Sequence, residues 1–251
     1  MIRVIVNGCN GKMGLALYEI MKNDYQVELV AGIDIEDKGY YKFPVYSSIK
    51  ECKEIADVVI DFTYAGITDM VIESCIEKKL PLVLCTTGLS KEQLDLVEMA
   101  SKQIPILQSY NMSLGIHTLK KVLQQIAPIL SEQGFDIEIV ERHHNQKIDA
   151  PSGTAILLAN AINESLNDSY HYVYDRSKTR QEREKKEIGI SAVRGGSIVG
   201  DHEVIFAGKD EVLEFSHHAY SKNVFAKGAV AAAKFLADKK SGRFTMEDVV
   251  S

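Results

Sequence analysis

The stretch Gly8-Cys9-Asn10-Gly11-Lys12-Met13-Gly14 does most to restrict how this chain can fold. It follows a short apolar run, Ile2–Val6, and leads into Met13–Met21, where apolar residues recur at helical spacing. Glycines at such a junction allow a tight turn and a close approach of backbone to a ligand. The N–H groups and dipole of the following helix favour an anion such as a pyrophosphate. Val27–Ile33 reads as a second strand, so the order is β-α-β. Asp34 stands at its end, 20 residues after Gly14, where a carboxylate accepts hydrogen bonds from adenosine ribose hydroxyls. The spacing Gly-x-x-Gly-x-x-Gly is a weak signal alone, and its β-α-β setting is what points to dinucleotide binding. An acidic residue at 34 repels a 2′-phosphate and favours NADH, whereas Lys12 and Lys38 offset that charge, so NADH and NADPH both stay open.

The alternation continues. Val58–Ile60 is apolar, Ile67–Lys79 reads as a helix and Leu82–Cys85 as a buried strand. Ser90–Lys102 is a helix opened by a capping box from Ser90 to Gln93, and Ile104–Leu107 is one more strand. Right-handed crossovers turn this order into a mostly parallel, doubly wound sheet of Rossmann type with helices on both faces. After a helix at about Leu114–Leu130 the rhythm changes. Ile137–Val140, Ile188–Val193, Glu203–Ala207 and Val212–His217 are strand-like, with one clear helix among them, Thr154–Glu164. Strands bunched in this way predict a mixed or antiparallel sheet in a second, smaller α+β domain. Phe225–Asp238 is an alanine-rich amphipathic helix that can pack on either domain. Asp175–Glu187, rich in both charge signs, reads as a solvated loop, with a lid as the alternative.

Composition removes several classes. A net charge of -6 with both signs interspersed argues against a nucleic-acid surface, so any anionic ligand must be held by a local basic cluster. Cys9, Cys52, Cys75 and Cys85 are scattered, which suggests neither a disulfide framework nor a zinc site, but reduced cytoplasmic thiols. The first residues run straight into a strand pattern, and no stretch is long enough to span a membrane. The expectation is a soluble cytoplasmic protein with no membrane partner.

The segment His143-His144-Asn145-Gln146-Lys147-Ile148-Asp149-Ala150-Pro151-Ser152-Gly153-Thr154-Ala155 carries the chemistry. His143, His144 and Lys147 supply cations and proton donors. Ser152-Gly153-Thr154 directly precedes a helix beginning near Ala155, so its N–H groups and hydroxyls form an anion site suited to a carboxylate. Pro151 fits the turn into that helix. His202, His217 and His218 enlarge the set of conceivable metal ligands. Adjacent histidines in an extended segment point to opposite faces, however, and no pair has helical i, i+4 spacing, so no metal is expected.

This segment closely resembles the signature of dihydrodipicolinate reductases, His-His-x-x-Lys-x-Asp-Ala-Pro-Ser-Gly-Thr-Ala. Six further segments are similar to that family's motifs in the same order. They are the glycine loop with Lys12 in place of Arg, Asp61-Phe62-Thr63, Thr86-Thr87-Gly88, Asn111-Met112-Ser113-Leu114-Gly115, Arg194 to His202, and Phe225-Ala226-Lys227-Gly228-Ala229. Cys85 departs from the family's usual Gly, which predicts reduced backbone freedom there. Asn145 and Gln146 replace residues that are basic in many members.

The resemblance implies reduction of 4-hydroxy-tetrahydrodipicolinate to tetrahydrodipicolinate with loss of water, on the diaminopimelate route to lysine, with NADH or NADPH. It implies that Lys147 and His143 are catalytic, and that His144, Ser152, Gly153 and Thr154 bind a small dicarboxylate. Cofactor contacts are implied at Gly8, Cys9, Asn10, Gly11, Lys12, Met13, Asp34, Phe62, Thr63, Cys85, Thr86, Thr87, Ser109, Tyr110, Asn111 and Met112. The implied layout is a cofactor domain of residues 1–113 and 220–251 around a substrate domain of 114–219, which closes over ligands and assembles a homotetramer. Two other readings compete. Another nicotinamide-dependent amino-acid or semialdehyde dehydrogenase explains the glycine loop and Asp34 but not the Lys147 segment, and a non-catalytic nucleotide sensor explains only the first domain.

Overall fold

A computed structural model describes residues 1–174, 176, 177 and 180–251. The chain divides into two compact units, one made of Met1–Leu114 with Lys222–Ser251 and the other of Gly115–Ser221. Among the described residues no helix is long and apolar enough to cross a membrane.

The first unit holds seven parallel strands: β1 (Ile2–Asn7), β2 (Val27–Ile33), β3 (Val45–Tyr46), β4 (Val58–Asp61), β5 (Leu82–Leu84), β6 (Pro105–Gln108) and, from the end of the chain, β12 (Gly242–Phe244). Their order is β12-β6-β5-β4-β1-β2-β3. Unbroken apolar runs such as Val58–Ile60 arise because both faces are covered. Val4, Val6, Val58, Ile60 and Val83 pack with Leu17 and Met21 of α1 (Lys12–Met21) and with Ala226, Ala229 and Ala233 of α6 (Asn223–Leu236). Ile5, Val59, Leu82 and Leu84 face Val71 and Ile72 of α2 (Thr68–Lys78) and Val97 and Ala100 of α3 (Lys91–Ser101). The terminal helix, left free by its pattern, therefore belongs to this core. The capping box of α3 has both arms, Gln93 N–H to Ser90 Oγ at 3.3 Å and Ser90 N–H to Gln93 Oε1 at 3.1 Å. The edge strands β3 and β12 and the short α7 (Met246–Val249) were not foreseen, being too short to show a period.

The second unit carries a mixed five-stranded sheet ordered β11-β10-β7-β9-β8, made of β7 (Asp136–His143), β8 (His171–Val173), β9 (Glu187–Arg194), β10 (Asp201–Ala207) and β11 (Val212–His218). β10 runs antiparallel to β7 and β11, whereas β7, β9 and β8 are parallel. One face packs Ile137, Ile139, Ile190, Val204 and Phe206 against Leu123 and Ala127 of α4 (Leu114–Glu132) and Leu158 and Ile162 of α5 (Gly153–Ser165). α4 continues through Pro128 to Glu132, beyond the predicted end at Leu130. The alternation of β7 puts Glu141 and His143 on the same buried side as Ile137 and Ile139.

Of the polar stretch 175–187, Asp175, Lys178 and Thr179 lie outside the described residues, and Glu187 already belongs to β9. Its described part is mostly exposed, as a solvated loop would be, and is tied to the sheet by two arginines. Arg183 donates to the carbonyls of Ile137 at 3.0 Å and Glu187 at 2.7 Å, and Arg176 pairs with Glu187 at 2.6 Å.

Candidate active site

In the first unit the glycine loop closes on itself. Gly8 and Cys9 donate to Ile33 O at 2.9 and 3.2 Å, and Gly11 donates to Gly8 O at 3.1 Å. Asn10 N–H is taken by Asp34 Oδ2 at 2.8 Å, so the acidic residue predicted to meet a ribose also anchors the loop. The donors left at the start of α1 are the N–H groups of Lys12, Met13 and Gly14, where the helix dipole is positive. Gly8 has φ +82°, and a Cβ on Gly14 would overlap the carbonyl oxygens of Cys9 and Gly8. Both positions therefore require glycine. Burial places the side chains of Cys9, Cys85 and Met112 in the core, so any contact these residues make with a ligand is through backbone.

Beside this loop, Asp61 closes β4 with its carboxylate fully buried. It accepts from Asn7 Nδ2 at 2.7 Å, Thr63 Oγ1 at 2.8 Å and Thr86 Oγ1 at 2.6 Å, tying the ends of β1, β4 and β5 together. Burial raises its carboxyl above the usual range, and the three hydrogen bonds oppose that shift. Phe62 is half-buried and Thr87 exposed next to this knot. Ser109 Oγ donates to Asn111 O at 2.6 Å and shapes the turn that leaves Tyr110 exposed. Cys85 lacks a left-handed φ, so a residue other than glycine is accommodated there without backbone strain.

In the second unit Glu141 is the centre of a buried network. Its side chain is fully buried and accepts from both Arg194 terminal nitrogens at 2.8 and 2.7 Å, from His143 Nδ1 at 2.6 Å and from Ser152 N–H at 2.9 Å. Burial alone would raise its carboxyl, but the donors prevail and hold it below the usual carboxylate range. Ser152 caps α5, its Oγ accepting from Ala155 N–H at 3.1 Å and lying 2.9 Å from His202 Nε2. Its hydroxyl and N–H are thus engaged within the protein. The groups that the sequence reading offered to a ligand at Ser152 are therefore already occupied by Glu141, Ala155 and His202. Burial, above all, pushes His202 down to about 3, so it stays neutral.

Lys147 donates to Asp149 Oδ1 at 2.7 Å. Asp149 is held below the usual range by Lys147 and, further, by the N–H of Gly153 at the start of α5. Its carboxylate therefore rests on the donors predicted for a substrate carboxylate. His144 is half-buried next to His143, and its Nδ1 has no partner among the described residues. Asn145 and Gln146 are exposed.

Sequence reasoning missed Glu141 as a site residue, left Arg194 and His202 as motif positions and gave His202 a further role only as a conceivable metal ligand. A signal for Glu141 was present: it stands two residues before His143 in a strand and so shares its face.

Comparison with known proteins agrees along the whole length. The family description "Dihydrodipicolinate reductase, N-terminus" matches residues 2–112 and "Dihydrodipicolinate reductase, C-terminus" matches residues 115–250. The 4-hydroxy-tetrahydrodipicolinate reductase of Caldanaerobacter subterraneus subsp. tengcongensis is 52% identical over 250 residues, covering 100% of this chain and 98% of the relative. That of Clostridium tetani is 49% identical, covering 98% and 96%. A dipicolinate-bound dihydrodipicolinate reductase from Paenisporosarcina sp. TG-14 superposes with a TM-score of 0.80 at 26% identity, covering 99% of both chains. With both halves of the sequence matched and near-complete relatives at such identity, the chain belongs to the dihydrodipicolinate reductase family.

Proposed function

We infer that this protein reduces 4-hydroxy-tetrahydrodipicolinate to tetrahydrodipicolinate with loss of water, using NADH or NADPH, as a step of diaminopimelate and lysine biosynthesis. The observation that carries the reading is the carboxylate of Asp149 held between Lys147 and the first turn of α5. A dicarboxylate substrate needs such a cradle, and a competing amino-acid or semialdehyde dehydrogenase gives no reason for it beside His143.

The first unit fits a dinucleotide. Gly8 and Gly14 keep the loop close to α1, the N–H groups of Lys12 and Met13 suit a pyrophosphate, and Asp34 suits ribose hydroxyls. Phe62, Thr63, Thr86, Thr87 and the 109–112 turn are the proposed nicotinamide-side contacts. When bound, the reduced nicotinamide supplies a hydride to the conjugated imine.

The second unit does the rest. Gly153, Thr154 and His144 hold the carboxylates. The Lys147 ammonium meets the negative charge that spreads over the conjugated imine as hydride adds, and supplies the proton that ends on ring carbon and restores the C=N bond of the product. His143 serves as the second acid or base when water is lost.

The half-exposed outer face of the five-stranded sheet, with Val140, Ile205 and the exposed Val193, is the proposed surface of a homotetramer. Four free buried thiols suit a reducing compartment and are the ground for placing the enzyme in the cytoplasm. The test makes the unstable substrate in place by condensing aspartate semialdehyde with pyruvate and follows reduced-cofactor absorbance. Turnover with NADH or NADPH is expected. Inertness here, with activity on amino acids plus oxidised cofactor, would overturn the reading in favour of the alternative dehydrogenase.

A further inference from the structure

The buried network on β7 goes beyond holding the fold. Glu141 and His143 share the inward face of the strand, Arg194 reaches them from β9 and His202 from β10. The two terminal guanidinium nitrogens of Arg194 grip both oxygens of Glu141, a forked arrangement that favours the ionised carboxylate. An ionised carboxylate can only accept, so the proton in the 2.6 Å contact is carried by His143 Nδ1.

We propose that Glu141 is a positioning residue for His143, fixing the neutral imidazole with its proton on Nδ1 and leaving Nε2 bare to exchange a proton with substrate. The proposal rests on the reading that His143 serves the reductase reaction as acid or base, and deepens it by assigning the group that sets its tautomer and orientation.

Three further observations support it. Ser152 N–H fills the remaining acceptor site of Glu141 at 2.9 Å, so the start of α5 and the ring of His143 are referenced to one carboxylate. His202 stacks edge-on against His143 at 5.2 Å between ring centroids, and as a neutral ring it adds no charge beside it. Gly200 is buried and lies against the other nitrogen: a Cβ there would stand 3.0 Å from His143 Nε2. Glycine at 200 therefore leaves room at the nitrogen that the network keeps bare.

The test reads the tautomer directly. In protein labelled with nitrogen-15 histidine, with His143 assigned by its loss in His143→Gln, the wild-type ring should show a protonated Nδ1 and a bare Nε2. Glu141→Gln should mix the two tautomers and lower kcat by about ten- to hundredfold, with cofactor affinity unchanged. Gly200→Ala keeps Glu141 and covers the case in which Glu141→Gln fails to fold. It should lower kcat about tenfold while the Nδ1–H tautomer persists. A wild-type ring protonated on Nε2 would overturn the proposal, as would an unchanged tautomer in Glu141→Gln whatever its rate, or wild-type kcat in Gly200→Ala. The spectrum needs no substrate, so a protein that fails to turn over would sink the reductase reading without deciding the tautomer.

Discussion

Lys147 Nζ lies 2.7 Å from Asp149 Oδ1, so the lysine proposed to protonate substrate is already paired with a carboxylate from its own loop. The pair is partly exposed, with side-chain accessibilities of 21% and 52%, and such pairs contribute at most about 1 kcal/mol. A substrate carboxylate can therefore displace Asp149 at small cost. Asp149→Asn should tighten binding of dipicolinate about threefold to fivefold, a change of up to ~1 kcal/mol, measured by titration calorimetry. Weaker binding would mean that Asp149 orients Lys147 instead of standing in for the ligand.

Lys147→Ala removes the charge proposed to meet the developing anion. Turnover should fall about a hundredfold to ten-thousandfold while the Kd for NADH stays within about twofold. Steady-state kinetics beside a cofactor titration separates the two effects. Collapse of cofactor affinity would contradict the placement of Lys147 in the substrate site.

Gly14 has no room for a side chain, because a Cβ would overlap the carbonyl oxygens of Cys9 and Gly8. Gly14→Ala should push α1 away from the loop, destabilise the protein by roughly 1–3 kcal/mol and weaken cofactor binding about tenfold or more. Denaturant unfolding and a fluorescence titration of NADH read these two quantities.

His202 has its pKa lowered from 6.5 to about 3, mainly by burial. As pH falls below 6.5 the unfolded chain takes up a proton that the native state refuses, so stability is full above that value and is lost down to about 3. The expected slope is roughly 1.4 kcal/mol per pH unit for this one group. Glu141 and Glu187, both held low, add their share only below about pH 4.3. His202→Gln should flatten the limb between those regions, as urea unfolding at several pH values would show.

Much of the fold was legible because long elements carry strong periods. The loop between β1 and α1, the capping box of α3 and the four longer strands of the second sheet follow directly from residue pattern. What escaped was either short, as with β3, β8 and β12, or polar on an inward face. Glu141 sits in Asp136–His143, where alternation sets it beside Ile137 and Ile139 but its charge argues for the watery face that Asp136 and Glu138 partly occupy. Only the partners brought in from Arg194 and Ser152 make its burial intelligible, and both are distant along the chain or across a turn. For Ser152 the residue type pointed to a ligand, while the three-dimensional structure gives its hydroxyl to the helix cap and His202.

The central claim, reduction of the cyclic imine derived from 4-hydroxy-tetrahydrodipicolinate, is tested most directly by isotope transfer. Substrate made in place would be offered with NADH or NADPH carrying deuterium at the transferable position, and the product examined by mass spectrometry. Tetrahydrodipicolinate bearing one deuterium, formed in step with oxidised cofactor, is the predicted result. Oxidised cofactor without labelled tetrahydrodipicolinate, or no oxidation with either cofactor, would contradict the account.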